Sequence, residues 1–72
     1  MKASHRSVLL DQFLDQEVRV TFKDKTWIEG VLIWQTHLEP PRYLKAGRYH
    51  VRLASGEYMI VYKDKVKNVE CI

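Results

Sequence analysis

The sequence predicts an all-β fold preceded by an N-terminal helix, and three observations carry that reading. A helical spacing of apolar residues near the N-terminus gives way to a period of two at Val18. Five runs rich in β-branched and aromatic residues then follow, separated by polar or Gly- and Pro-containing breaks. The chain has 72 residues, 46% of them apolar, which suits one domain spanning 1–72 and argues against wholesale disorder.

The helix is expected over 7–16. Ser4 or Ser7 caps it, Leu10, Phe13 and Leu14 share a face, and Asp11 and Asp15 sit on the wetter side. A helix this short needs packing partners to persist. In the first strand Val18, Val20 and Phe22 alternate with Arg19 and Thr21, and Lys23-Asp24-Lys25 reads as a hairpin turn without the usual glycine. The second strand, Thr26–Thr36, is apolar on both faces, with Val31 and Ile33 opposite Ile28, Leu32 and Trp34. Gly30 inside it marks a bend, a bulge or a close backbone approach. A strand apolar on both faces must be covered on both, by the helix or by a partner subunit.

Residues 38–48 form the irregular stretch, broken by Pro40, Pro41 and Gly47. Tyr49–Ala54 is the third strand, Ser55-Gly56 a turn, and Tyr58–Tyr62 an apolar fourth strand. Lys63-Asp64-Lys65 then interrupts, and Val66–Ile72 closes a five-stranded meander over 18–72 without recognisable repeats.

Composition excludes several classes of function. The single cysteine, Cys71, permits no internal disulfide, and no Cys/His cluster suggests zinc. Asp11, Asp15 and Glu17 are scattered, and no nucleophile stands in an activating pattern, so neither catalysis nor a cofactor is expected. No targeting signal is recognised, and no apolar run approaches the roughly 20 residues that cross a bilayer. A cytoplasmic protein without a membrane role is the expectation. Twelve Lys and Arg against nine Asp and Glu leave a net charge of +3, two of which fall in 38–48. There Arg42, Lys45 and Arg48, with Arg52 beyond, interleave with Tyr43, Tyr49 and His50, the composition of a nucleic-acid surface.

The order of elements and a collinear set of residues resemble the Sm-like family, the ring-forming RNA-binding proteins that include eukaryotic Sm and LSm proteins and bacterial Hfq. Val18-x-Val20-x-Phe22-x-Asp24, followed after four residues by Glu29-Gly30-x-Leu32, is similar to the first Sm motif. Val61-Tyr62-Lys63-Asp64-Lys65-Val66-x-x-Val69 resembles the second motif in its Hfq form, and Leu10–Asp15 is similar to the Hfq N-terminal helix. The chain also departs from the family. Lys25 replaces the turn glycine, Gln35-Thr36 stands for the aromatic-Asp pair, Asp64 occupies the Hfq histidine position, and Thr21 and Thr26 occupy adenine-face positions. A poly-adenine surface of the usual kind is not expected.

The resemblance implies a strongly bent five-stranded antiparallel barrel assembled into a homo-oligomeric ring of about five to seven copies. Strand four of one subunit would pair with strand five of the next, through Met59, Ile60, Val61, Tyr62, Val66 and Val69. Single-stranded RNA would meet the pore-side loops at Lys63, Asp64 and Lys65, with Gln35 or His37 near a base and Arg42, Lys45 and Arg48 on phosphates. Two other readings stay open. One is a Tudor- or SH3-like adaptor with Trp27, Trp34 and Tyr43 lining a peptide groove, and the other is an Sm-like structural ring without RNA affinity.

Overall fold

The computed structural model describes residues 6–35 and 47–72. Its elements are α1 (Val8–Asp11), β1 (Glu17–Phe22), β2 (Trp27–Gln35), β3 (Arg48–Arg52), β4 (Tyr58–Val61), a 3-10 turn (Lys63–Lys65) and β5 (Val66–Cys71). The strands form one antiparallel five-stranded sheet in the order β4-β3-β2-β1-β5. Strands β1 to β4 pair antiparallel in sequence order. The expected meander fails at its last step: β5 crosses the molecule to pair with β1, setting Val20 opposite Val69 and Phe22 opposite Val66. Among the described residues β4 and β5 are not paired with each other, so the sheet is open between them.

The helix is a single turn rather than the expected 7–16. Ser7 is its cap, its Oγ accepting the Leu10 N–H. Beyond Asp11 the backbone turns toward β2: the Asp15 N–H donates to the Leu32 carbonyl at 2.7 Å, and the Leu32 N–H donates to the Gln16 carbonyl at 3.2 Å. Asp15 takes a left-handed φ of 63°, which ends any helical continuation. Phe13 and Leu14 still pack against the core, as their spacing implied.

The core is built from alternate strand positions. Val18, Val20, Leu32, Tyr49, Val51 and Val61 are each at most 1% exposed, and Leu10 from α1 joins them. Ladder register brings them together: Leu32 faces Val51, and Tyr49 faces both Trp34 and Val61. Gly30 answers to the expected close approach. A Cβ there would lie 2.2 Å from the Arg52 carbonyl oxygen and 2.7 Å from Val51 Cγ1, so only hydrogen fits where β2 meets β3. On the other face of the sheet Val31 and Ile33 are half-buried, and His50 is fully buried between its cross-strand neighbours Ile33 and Ile60. No helix among the described residues is long and apolar enough to cross a membrane.

Candidate nucleic-acid interface

Crossing β5 over to β1 carries the Lys63–Lys65 turn with it. The turn is fixed at both ends by backbone: the Lys65 N–H donates to the Tyr62 carbonyl, and the Lys23 N–H donates to the Lys65 carbonyl, each at 2.9 Å. This second bond joins the β4–β5 turn to the β1–β2 hairpin. Each turn reads aromatic-Lys-Asp-Lys: Phe22-Lys23-Asp24-Lys25 in one and Tyr62-Lys63-Asp64-Lys65 in the other. The fold lays the two copies side by side.

Between them lies an open depression of about 710 Å³. Phe22, Ile60 and Tyr62 supply its apolar lining, while Lys23, Asp24 and Thr26 from the hairpin and Asp64 and Lys65 from the 3-10 turn supply polar groups. Asp24 is committed locally. Its Oδ1 accepts the Thr26 hydroxyl at 2.5 Å and the Thr26 N–H at 3.0 Å. Those bonds, the hydroxyl first, hold its carboxyl below the usual carboxylate range, and the charge of Lys65 adds to them. Asp24 therefore shapes the hairpin through Oδ1, and Asp64 borders the depression from the second turn.

The expected site residues separate in space. Asp64 and Lys65 line the depression, whereas Lys63 reaches back so that its Nζ donates to the Arg6 carbonyl at 3.0 Å. Gln35 is 9% exposed and Arg48, opposite it in the β2–β3 ladder, is half-buried, its Nη1 donating to the Gly47 carbonyl. Gln35 is thus held by the sheet rather than offered to a base. Tyr49 pairs with Val61, so this corner is one register step from where Tyr62 leaves β4. His37, Arg42 and Lys45, with Tyr43, lie outside the described residues. Of the residues assigned to a subunit seam, Val61, Val66 and Val69 belong to the chain's own core. Met59 and Tyr62 are 41% and 42% exposed, so Tyr62 is no core residue.

Sequence reading missed Phe22, Lys23 and Thr26 as site residues because it treated the hairpin as a solvated connection. The signal that finds them is the twice-written aromatic-Lys-Asp-Lys string, a short repeat overlooked among longer patterns. A second charged cluster sits elsewhere, on the opposite face of the sheet from the core. Arg19 pairs with Glu29 (Nη2 to Oε2, 2.6 Å) and lies 4.7 Å from the Trp27 ring centroid. Trp34 instead packs on Tyr49 at 4.8 Å between centroids, with the Arg6 guanidinium over it. Trp27 and Trp34 therefore serve separate surfaces. No group of three or more His, Cys, Asp or Glu among the described residues is placed to hold a metal ion. No family model, curated protein or solved structure matches the chain, so its own geometry is what a functional reading must stand on.

Proposed function

We propose that this chain is a non-catalytic RNA-binding module of Sm-like architecture, closing into a homo-oligomeric ring and contacting single-stranded RNA through its pore-side turns in the cytoplasm. The observation that carries the reading is the position of the Lys63–Lys65 turn. It joins β4 and β5, consecutive in sequence yet at opposite edges of one sheet. Each edge carries unsatisfied backbone groups, and pairing β4 of one copy with β5 of the next satisfies both in a head-to-tail ring. Met59, 41% exposed on the β4 edge, gives such a seam a side chain, while Ile60, Val61, Val66 and Val69 give it backbone. Every copy then presents the same lysine-bearing turn. A net charge of +3 per chain, repeated around a closed assembly, supports a potential suited to a phosphate backbone. The adaptor reading needs Trp27 and Trp34 in one groove, and they serve separate surfaces.

The test is a titration of fluorescent single-stranded oligonucleotides at several salt concentrations, on protein whose solution mass is known. Wild type should bind with a negative dependence on salt. A Lys63→Ala/Lys65→Ala variant should bind several-fold more weakly with a shallower salt slope. Equal and negligible binding by both proteins would defeat the RNA role and leave the ring as a structural assembly.

A further inference from the structure

We infer that the depression between the twin aromatic-Lys-Asp-Lys turns is a subsite for one nucleotide of an RNA strand, selective for a base carrying an exocyclic amine. The inference rests on the RNA-binding reading but adds a second turn, from the β1–β2 hairpin, to which that reading gives no role. Nor does it depend on ring closure.

Three features of the depression fit a nucleotide. Its volume, about 710 Å³, lies in the range of small-molecule sites. It is amphipathic in the required way. Tyr62, 42% exposed, and Phe22 and Ile60 beside it offer a ring and an apolar wall to a base face. Lys23 and Lys65, one from each turn, offer two ammonium groups to a phosphate. The two turns are also held in fixed relation by the Lys23 N–H bond to the Lys65 carbonyl, so the backbones that carry the two lysines are in place before a ligand arrives.

Selectivity follows from the carboxylate of the second turn. Asp24 spends Oδ1 on Thr26 within its own hairpin, whereas Asp64 borders the depression from the β4–β5 turn. An ionised carboxylate only accepts hydrogen bonds. It therefore favours the amine of cytosine N4 and disfavours uracil, which places the acceptor O4 at the same position. Thr26, already donating to Asp24, does not compete for that role.

Fluorescence-anisotropy titrations of labelled hexacytidylate and hexauridylate test this on the full chain. Wild type should bind hexacytidylate several-fold more tightly, and Asp64→Asn should erase the difference, because an amide serves both bases. Tyr62→Leu should weaken binding of hexacytidylate by roughly 5- to 150-fold, the range of one lost base stack. Lys23→Ala should weaken it a few-fold and lower the salt slope by about one. Lys67→Ala, which removes the same charge from an exposed β5 position away from the depression, should stay within twofold. Circular dichroism on each variant checks that the sheet is intact.

Adenosine 5′-monophosphate as competitor separates a strand nucleotide from a free one. The strand should persist at mononucleotide concentrations well above its own, and efficient displacement would overturn the assignment to RNA in favour of a free nucleotide. If neither oligonucleotide binds wild type, the RNA-binding reading fails and the subsite falls with it. Should RNA binding be lost in Lys63→Ala/Lys65→Ala yet be unchanged in Lys23→Ala and Tyr62→Leu, or show no preference for cytosine, the subsite alone is overturned.

Discussion

Lys25 adopts a φ of 75° at the turn between β1 and β2, where its N–H donates to the Phe22 carbonyl at 3.0 Å. A side chain in this left-handed region costs roughly 1–2 kcal/mol, against the roughly 0.5–1 kcal/mol of extra chain entropy that glycine gives up on folding. Lys25→Gly should therefore raise stability by about 0.5–1 kcal/mol, read as a higher urea midpoint with an unchanged m-value. The missing turn glycine was visible in the sequence, and its consequence is local enough to follow from that alone. His50 is different. The sequence places it on the face opposite Tyr49 and Val51, a position that reads as solvated, yet it is fully buried. Burial lowers its pKa from 6.5, against an opposing contribution from the Arg48 backbone. The folded chain thus keeps the imidazole neutral at pH values where the unfolded chain already takes a proton. Its contribution to stability is complete above pH 6.5 and is lost as the pH falls from there through the lowered folded value. Melting temperature should fall with acidification over that window. In His50→Gln the fall should be shallower by the share that His50 contributes.

At the scale of elements, strands were legible and the helix was not. Strand residues announce themselves through period-two burial, and every strand placed from the sequence is present with ends shifted by one or two positions. Leu10, Phe13 and Leu14 have helical spacing and do reach the core, but residues after Asp11 spend their backbone groups on β2, as the Asp15 bond to Leu32 illustrates. Such a non-local bond leaves no trace in local spacing. What holds the remaining turn is likewise distant in sequence. The Tyr49 hydroxyl donates to Asp11 Oδ1 at 2.5 Å and accepts the Ser7 N–H at 2.8 Å, and Arg6 closes the cluster with a 3.0 Å ion pair to Asp11. Burial first, and then the bond to Asp11, raise the Tyr49 pKa above 10.0. The unfolded tyrosine therefore ionises before the folded one, so the latch is at full strength below pH 10.0 and weakens as the pH climbs through the raised value. Tyr49→Phe keeps the ring against Trp34 and removes only the hydroxyl. It should cost about 1–3 kcal/mol, the penalty for stranding partly buried polar groups. Hydrogen exchange should locate the damage: amides of Leu10 and Asp11 lose protection while those of Val20 and Val51 keep it.

For the molecule as a whole, the decisive fact is which strand neighbours which. The sequence supplies five strands in order but not the pairing of β5 with β1, because side-chain alternation sets which face a strand buries and not which strand lies beside it. That pairing produces both features on which the proposed function rests. It brings the two aromatic-Lys-Asp-Lys turns together, and it leaves β4 and β5 as the two edges of the sheet. An edge whose side chains were charged would discourage pairing, as protected edges in monomeric β proteins do. The β4 edge is instead Tyr58-Met59-Ile60-Val61, without a charge, and Met59 is 41% exposed. Ile72, just past the end of β5, is 57% exposed. With no disulfide to reinforce so short a chain, pairing between copies would bury what the isolated sheet leaves open. Light scattering coupled to gel filtration should accordingly give a mass several times 8.6 kDa at micromolar concentration. Met59→Lys places a charge on the β4 edge at a position 41% exposed, beside Val51 in the ladder, and should shift that mass toward one chain while the far-ultraviolet spectrum stays β-rich. RNA affinity should fall with it, since the turns would no longer be multiplied around a ring. A wild-type mass of one chain would remove the ring, and the contact between the twin turns, which lies wholly within one chain, would then have to account for whatever RNA is bound.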